Sequence, residues 1–228
     1  KCRLKYKLLG ILVITTFALQ LQAASLTLVE AGKSKAAIVV AANEPQAQKA
    51  AQELQAYLDK MSGVKLPILT EGQPVPPDTE IRLLVGHTET AKKLGVNVPA
   101  GFDPSIRAEA FEEEGCVVKT VKNNIIIGGN SDGPYQGTLF AAYAFLEKLG
   151  CRWYFPGKWG EITPRLETIT VPDLNVKTRP DFPLRMIWLS GWIEPTAEES
   201  HLYADWCARI GFSGWNPNVS PMYPLVGD

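Results

Sequence analysis

Aromatic side chains that could stack on sugar rings are concentrated near the C-terminal end of the sequence. Trp188, Trp192 and Trp215 all lie within residues 184–228. Tryptophan offers a large apolar face, and its indole N–H stays available for a hydrogen bond. Each of the three falls at or just past the end of a predicted strand, where a side chain can reach a ligand. We assign all three as candidate substrate-binding residues, with core packing as the alternative.

Arg185 is the one charged residue in the apolar segment Leu184 to Leu189, which predicts a buried strand. A guanidinium in an apolar setting needs an acceptor. It either pairs with a buried carboxylate or binds a sugar hydroxyl or acid group, and the sequence leaves both open. Arg185 is therefore the fourth candidate substrate-binding residue.

No catalytic residue can be assigned from the sequence. Glu112-Glu113-Glu114 is the longest acidic run, but neighbours on a strand point to opposite faces, which favours a solvated strand edge over an acid/base pair. His87 and His201 lie far apart and near no nucleophile motif. No Cys/His cluster has the spacing of a metal site. We predict no metal and no cofactor.

Two further features have structural interpretations. Gly128 to Gly133 lies between a predicted strand and a predicted helix, where backbone N–H groups could hold an anion. It matches neither dinucleotide-binding nor Walker spacing, so close helix–sheet packing is favoured. Cys116, Cys151 and Cys207 are widely spaced. One disulfide is the alternative, but three buried free thiols are favoured.

The elements that position these residues form an α/β pattern. Alternating and continuous apolar runs predict strands, and three- and four-residue spacing predicts helices. The first long helix is predicted to begin at an Asn43 N-cap and to end at Gly63. A later helix, with Pro134 in its first turn, follows the glycine segment and leads into an aromatic strand, Cys151 to Phe155. The predicted fold is a mixed β-sheet with packed helices, over about 150 residues.

The composition changes after this unit. Pro172, Pro180 and Pro183 punctuate a polar stretch that predicts a linker. A strand then precedes a helix opened by the capping box Thr196 to Glu199, and a strand over Phe212 to Asn216 follows. Strand, helix, strand begins a repeating βα architecture.

The N-terminal 23 residues predict a secretory signal peptide. Lys1, Arg3, Lys5 and Lys7 precede an apolar run, Leu8 to Leu19, that is too short for a membrane-spanning helix. The whole chain has a net charge of −1, and this leader carries four basic and no acidic residues. The remaining chain is therefore acidic, which argues against nucleic-acid binding. We expect a secreted or periplasmic bacterial protein without a transmembrane segment after cleavage.

Four segments resemble the N-terminal domain of bacterial α-glucuronidases and β-hexosaminidases. These segments are Glu114 to Val118, Asn124 to Gly129, Asp132 to Leu139 and Leu149 to Tyr154. The chain also resembles large secreted bacterial proteins of uncharacterised function that carry this domain. In such enzymes the domain precedes a (β/α)₈ barrel. Phe182 and Arg185 match a Phe-x-x-Arg motif whose arginine binds the sugar in the hexosaminidases, although Met186 replaces the family's glycine.

The resemblance implies a domain order: a signal peptide at 1–23, an α-glucuronidase-type α/β domain at 24–176, a linker at 177–183 and an incomplete TIM barrel at 184–228. A barrel needs about 250 residues, so we expect the rest of it, with the catalytic carboxylates, to be missing from this fragment. The expected parent is a secreted glycoside hydrolase acting on a polysaccharide or oligosaccharide, and the fragment alone is expected to be inactive. The alternative is a non-catalytic carbohydrate-binding or scaffold domain of a cell-envelope protein.

Overall fold

The computed structural model describes residues 25–102, 114–182, 185–189 and 196–217. The predicted signal peptide and Trp192 lie outside the described residues. The helices of the described part are α1 (Pro45–Ser62), α2 (Glu89–Lys93), α3 (Gly137–Lys148) and α4 (Ala197–Arg209). Its strands are β1 (Leu26–Glu30), β2 (Lys33–Ser34), β3 (Ala36–Val40), β4 (Ile68–Thr70), β5 (Ile81–Val85), β6 (Cys116–Val121), β7 (Asn124–Gly129), β8 (Arg152–Trp153), β9 (Glu161–Ile162), β10 (Ile169–Val171), β11 (Asn175–Thr178), β12 (Met186–Leu189) and β13 (Gly214–Pro217). None of the described helices is long and apolar enough to cross a membrane.

Six strands form one mixed sheet in the order β11-β6-β7-β5-β3-β4. β4, β3, β5 and β7 are parallel, with Ile38 opposite Leu83 and Leu83 opposite Ile125. β6 runs antiparallel to β7, and β11 runs antiparallel to β6. The central strands are continuous apolar runs because both faces of the sheet are covered. The predicted α/β class with a mixed sheet is confirmed.

Successive side chains of each central strand enter two different cores, as the period of two requires. Ile38 and Leu83 face α1 and α3 in the larger core, whereas Val39 and Leu84 join α2 in a smaller core on the opposite face. Full burial of each such side chain contributes about 1.5–3 kcal/mol. The buried stripe of α1 is the one its spacing indicates: Ala47, Ala50, Ala51, Leu54, Tyr57, Leu58 and Met61.

The start of α1 differs from the predicted one by a residue. Glu44, not Asn43, occupies the N-cap position, and its side chain makes no capping hydrogen bond. Asn43 has a φ of 58°, a left-handed conformation that asparagine tolerates in turns. The carboxylate of Glu44 points to a neighbouring strand end instead. The predicted end is confirmed, because Gly63 closes the helix with a φ of 72°.

α3 begins at Gly137, so the prediction that Pro134 lies in its first turn is wrong. Close helix–sheet contact explains the glycines around this start. A Cβ on Gly129 would lie 2.3 Å from the backbone carbon of Gly137, and a Cβ on Gly137 would lie 2.5 Å from the backbone nitrogen of Asn130. The backbone N–H of Gly137 donates to the Asn130 carbonyl at 2.7 Å. The packing interpretation of this segment is confirmed.

The polar stretch predicted as a linker contains β11, the edge strand of the main sheet. Asn175 to Thr178 pair with Lys119 to Cys116, and the N–H of Thr120 donates to the Leu174 carbonyl at 2.8 Å. Lys177 and Thr178, the first two residues of the predicted linker, pair with Val117 and Cys116 in this sheet. An edge strand exposes one side to water, so polar residues are tolerated there. The division of the chain into separate domains stays a prediction.

Three smaller strand groups complete the described part. β10, β1 and β2 form one antiparallel sheet, and β8 pairs with β9. The predicted aromatic strand over residues 151–155 is shorter than expected, with only Arg152 and Trp153 in β8. β12 and β13 are parallel, with Met186 opposite Gly214. The predicted strand–helix–strand unit at the C-terminal end is confirmed; the barrel it would begin stays a prediction.

All three cysteines of the described part are buried and free, which confirms the favoured alternative. Burial raises the pKa of each thiol, to about 11 for Cys116, Cys151 and Cys207. At neutral pH they are protonated and behave as small apolar side chains.

Candidate functional site

Arg185 lies immediately before β12 and ties this strand to the α/β unit. Its Nη2 donates to Glu114 Oε2 at 2.5 Å, its Nε donates to the Gly211 carbonyl at 2.6 Å, and its Nη1 donates to the Phe182 carbonyl at 2.9 Å. The side chains of Arg185 and Glu114 are 17% and 10% exposed. Of the two alternatives for Arg185, the structure therefore contains the carboxylate pairing. Its role in substrate binding stays a prediction.

Glu114 is the member of the acidic run that falls within the described residues. It is not a solvated edge residue, because it lies against the guanidinium of Arg185 and leads into β6. Breaking such a partly buried pair leaves one charge without its partner and is costly. Sequence reasoning could not pair residues 71 positions apart; the signal was an arginine at the head of an apolar strand.

The backbone positions of two of the three candidate tryptophans are described. Trp188 is the third residue of β12 and pairs with Asn216 of β13, while Trp215 pairs with Ile187. Trp215 therefore lies inside its strand, as its second residue, and the prediction that it falls at a strand end is wrong. Trp192 lies outside the described residues. Sugar binding by these three residues stays a prediction.

α4 packs the unit formed by β12, α4 and β13 against the mixed sheet and its helices, which we call the α/β sandwich. Its start is the predicted capping box, in which the N–H of Glu199 donates to Thr196 Oγ1 at 3.2 Å and the N–H of Thr196 donates to a Glu199 carboxylate oxygen at 2.8 Å. One face packs toward α3, and the indole N–H of Trp206 donates to the Trp153 carbonyl at 2.9 Å. Trp153 is buried and Trp206 is half-buried, so core packing is the role that the structure gives both.

A cavity of about 290 Å³ opens along this contact between α4 and the sandwich. Charged side chains from both sides line it, among them Glu114, Glu147, Arg179, Arg185 and Arg209. The Nε of Arg209 is buried without a hydrogen bond among the described residues and lies 3.9 Å from Glu53 Oε2. The cavity could take hydroxyl or carboxylate groups.

A second polar cluster lies at the carboxyl ends of β3, β5 and β7. The backbone N–H of His87 donates to Glu44 Oε2 at 2.8 Å, and Nδ1 of the ring lies 3.1 Å from the same oxygen. The Nε2 of His87 lies 2.8 Å from the Pro99 carbonyl. Thr138 Oγ1 lies 3.2 Å from Glu44 Oε1. Sequence reasoning missed this cluster, although Glu44 and His87 closely follow two buried parallel strands, whose carboxyl ends meet at one edge of a sheet.

The partners of His87 determine its protonation. The hydrogen bond to Glu44 raises the pKa of His87 against the lowering effect of burial, and the hydrogen bond to the Pro99 carbonyl adds to the rise. Burial acts to raise the pKa of Glu44, but the hydrogen bonds from His87 outweigh it and hold that pKa below the ordinary value. A carboxylate and a carbonyl are both acceptors, so the geometry fits an imidazolium that donates from both nitrogens.

An imidazolium engaged at both nitrogens has no lone pair for a metal or for accepting a proton. General base catalysis needs a free nitrogen within reach of a substrate. In this arrangement the Glu44–His87 cluster positions three chain segments. A cavity of about 370 Å³ beside it is lined by His87, Thr88, Glu89, Lys92 and residues 96–98.

The fold is similar to that of solved glycoside hydrolases. The N-acetyl-β-hexosaminidase of Streptomyces plicatus, solved with Thio-NAglucal, superimposes with a TM-score of 0.53 at 14% identity over 85% of this chain. A mutant of that enzyme in complex with GlcNAc gives 0.52 at 15% identity, also over 85% of this chain. The protein named CpGH84B gives 0.51 at 13% identity over 87% of it. At these identities the likeness shows a shared fold.

The chain spans only a part of these neighbours: 31% of the hexosaminidase chain in both structures and 28% of CpGH84B. No protein-family model matches the sequence, and neither does any curated protein.

Proposed function

We propose that this chain is the N-terminal part of an exported glycoside hydrolase that acts on a polysaccharide or oligosaccharide. In this proposal the α/β unit is an α-glucuronidase-type N-terminal domain, and β12, α4 and β13 begin a (β/α)₈ barrel. The barrel supplies the two carboxylates that glycoside hydrolysis requires. The basic and apolar residues 1–23 serve as the export signal.

The observation that carries the proposal is the parallel pair of β12 and β13 held against the sandwich. Within the described residues the two strands form a sheet of their own, with α4 between them in sequence. Parallel sheets occur with both faces covered and with several strands, so a two-stranded parallel sheet calls for further strands. Repetition of the β12–α4 unit generates a barrel.

The hydrogen bonds of Arg185 fix the position of β12 relative to the α/β unit. Arg185, at the head of β12, donates to Glu114 and to the carbonyl of Gly211, which lies in the turn after α4. One side chain therefore joins three segments. The fold shared with the hexosaminidase over 85% of this chain supports the same arrangement. Under this proposal the α/β unit supports the barrel and contributes no catalytic group.

The test is hydrolysis by the product of the whole reading frame that contains this chain. The substrates are an aryl α-glucuronide, an aryl β-N-acetylhexosaminide and glucuronoxylan, with release of the aryl group or of reducing ends as the readout. We expect turnover of at least one substrate by the whole product and none by the 228-residue chain. Turnover lost on substitution of an Asp or Glu at a downstream strand end would identify the acid/base pair.

Two results would refute the proposal. One is a reading frame whose continuation encodes no barrel or no acidic residue at a strand end. The other is turnover by the 228-residue chain itself, because the described residues would then contain the catalytic groups.

A further inference from the structure

The loop between β8 and β9 presents three aromatic side chains to solvent. We call residues 154–160 the aromatic loop. Tyr154 is 64% exposed, Phe155 is 51% exposed and Trp159 is 83% exposed. β8 ends at Trp153, so Phe155 lies outside the strand and is exposed. Each of these three side chains therefore presents an apolar ring to solvent.

Both ends of the aromatic loop are fastened to one buried residue. The hydroxyl of Tyr57 accepts a hydrogen bond from the Trp153 indole at 2.8 Å and donates to Glu161 Oε2 at 2.7 Å. Trp153 and Glu161 face each other in the β8–β9 pair, and Lys60 donates to Glu161 Oε1 at 2.9 Å. The ring of Trp153 also packs edge to face against Tyr57, with centroids 5.4 Å apart.

Backbone contacts close the aromatic loop tightly. The N–H of Tyr154 donates to the Gly160 carbonyl at 2.8 Å, and the N–H of Gly160 donates to the Gly157 carbonyl at 3.1 Å. A Cβ on Gly160 would lie 2.0 Å from the carbonyl oxygen of Phe155, so only glycine fits there. Gly157 has a φ of 79°, which favours glycine as well. The loop conformation is therefore fixed before any ligand binds.

The side chains around the rings suit a ligand that is polar but has an apolar face. The ammonium of Lys158 lies 5.3 Å from the centroid of the Trp159 ring, so a cation covers part of the ring while most of the side chain stays open. Arg152, also exposed, lies at the base of the loop, where its Nη1 donates to the Glu147 carbonyl at 2.7 Å and to the Cys151 carbonyl at 2.6 Å. A ring with the charged donor Lys158 beside it offers stacking and hydrogen bonding together.

We propose that the aromatic loop is a binding platform for pyranose units of a polysaccharide. Trp159 stacks on the C–H face of one sugar ring, Tyr154 and Phe155 extend the surface, and Lys158 donates to hydroxyl or carboxylate oxygens. A fixed loop loses little conformational entropy on binding, which favours affinity.

The small size of the platform distinguishes a sugar from a protein partner. An aromatic side chain buries about 150–250 Å² when fully covered. A stable protein interface takes roughly 800 Å² from each partner. Three rings on one short loop fall below this area, whereas they are large enough to cover a few sugar rings.

The test measures binding of the full chain to chitohexaose, cellohexaose and glucuronoxylan by isothermal titration and affinity electrophoresis. We expect at least one of them to bind, and Trp159→Ala to weaken that binding by about tenfold or more, as loss of a stacked ring predicts. Trp159→Tyr keeps a flat ring and should retain binding. Unchanged circular dichroism and thermal midpoint for these exposed variants establish that folding is intact.

The matched control is Phe182→Ala, which removes an aromatic ring that is 70% exposed but lies outside the aromatic loop. This variant should bind as the unsubstituted chain does. The proposal is overturned by absence of binding to all three glycans, by equal loss in Phe182→Ala, or by a Trp159-dependent dimer in sedimentation. Binding by this chain requires no hydrolysis, so failure here is distinguishable from failure of the proposed function.

Discussion

At the scale of single residues, His87 connects three chain segments by its charge. One ring nitrogen faces the carboxylate that begins α1, and the other faces the Pro99 carbonyl in the loop after α2. The acidic groups that act on the ring are Glu44 and Asp132, and the Asp132 carboxylate itself accepts from the Gly101 N–H at 2.6 Å. The protonated ring therefore fastens the loop around residues 99–101 to the sheet edge.

The first prediction concerns pH. The pKa of His87 is raised in the folded chain, so its contribution to stability is full below the ordinary value of about 6.5 and is lost as pH rises through the raised pKa. The pKa of Glu44 is lowered, so its contribution is full above about pH 4.5 and is lost as pH falls through the lowered pKa. Urea unfolding between pH 4 and 10 should give a stability maximum between these two limits.

The variant His87→Gln should remove the decline on the alkaline side of this maximum. His201→Gln is the control, because His201 lies exposed on α4. If His87→Gln and the unsubstituted chain lose stability in parallel between pH 6 and 9, the imidazolium does not fasten the loop. Histidine ring resonances in an NMR titration would report the pKa of His87 directly.

At the scale of elements, the contact between β7 and α3 depends on the absence of two side chains. The backbone of Gly129 lies against that of Gly137, and both also approach the Gly115 carbonyl. Thr138 Oγ1 lies 2.8 Å from the Gly129 carbonyl and 2.7 Å from Ser131 Oγ, which satisfies polar groups that the close approach buries. The glycines permit a helix to start directly on the sheet.

The second prediction is that Gly137→Ala destabilises the chain by about 1–3 kcal/mol, because its Cβ would overlap backbone atoms of Asn130. Helix propensity alone predicts the opposite sign, with a gain of at most about 1 kcal/mol because Gly137 is the first residue of the helix. The control is Ala56→Gly on the exposed face of α1, which measures propensity without packing. Urea unfolding measures both; a stabilised Gly137→Ala variant would mean that the helix start can move away from the sheet.

At the scale of the whole molecule, the α/β sandwich has a core of its own, which α4 covers in part. The main core extends from β1 to β10 and includes Leu174, while Trp206, Ala208 and Ile210 of the C-terminal unit only pack against its outside. The edge strand β11 belongs to the main sheet. A version of the sandwich that keeps the whole edge strand must therefore extend to Thr178.

The third prediction is that a version of the chain from Ala24 to Thr178 unfolds cooperatively, with lower stability than the full chain, because the contact of Trp206 with Trp153 is lost. A version ending at Leu174 should be less stable still, since it leaves the β6 edge unpaired. Calorimetry and dye binding measure both versions. A molten, dye-binding product ending at Thr178 would refute an independent sandwich.

Local patterns in the sequence determined the elements and the fold class. Each of these patterns depends on neighbours a few residues away. They are the apolar alternation of the strands, the three- and four-residue spacing of the helices, the end of α1 at Gly63 and the capping box at Thr196. The candidate residues Trp188 and Trp215 could be placed on the last strands for the same reason.

Only the tertiary structure decided which distant residues meet. The pairs Arg185–Glu114 and His87–Glu44 join positions 71 and 43 residues apart, and Tyr57 meets both ends of the aromatic loop about 100 residues later. That Trp153 is buried while Phe155 is exposed likewise depends on the position at which β8 ends. Such contacts arise from strand order and helix packing, and no short-range pattern encodes them.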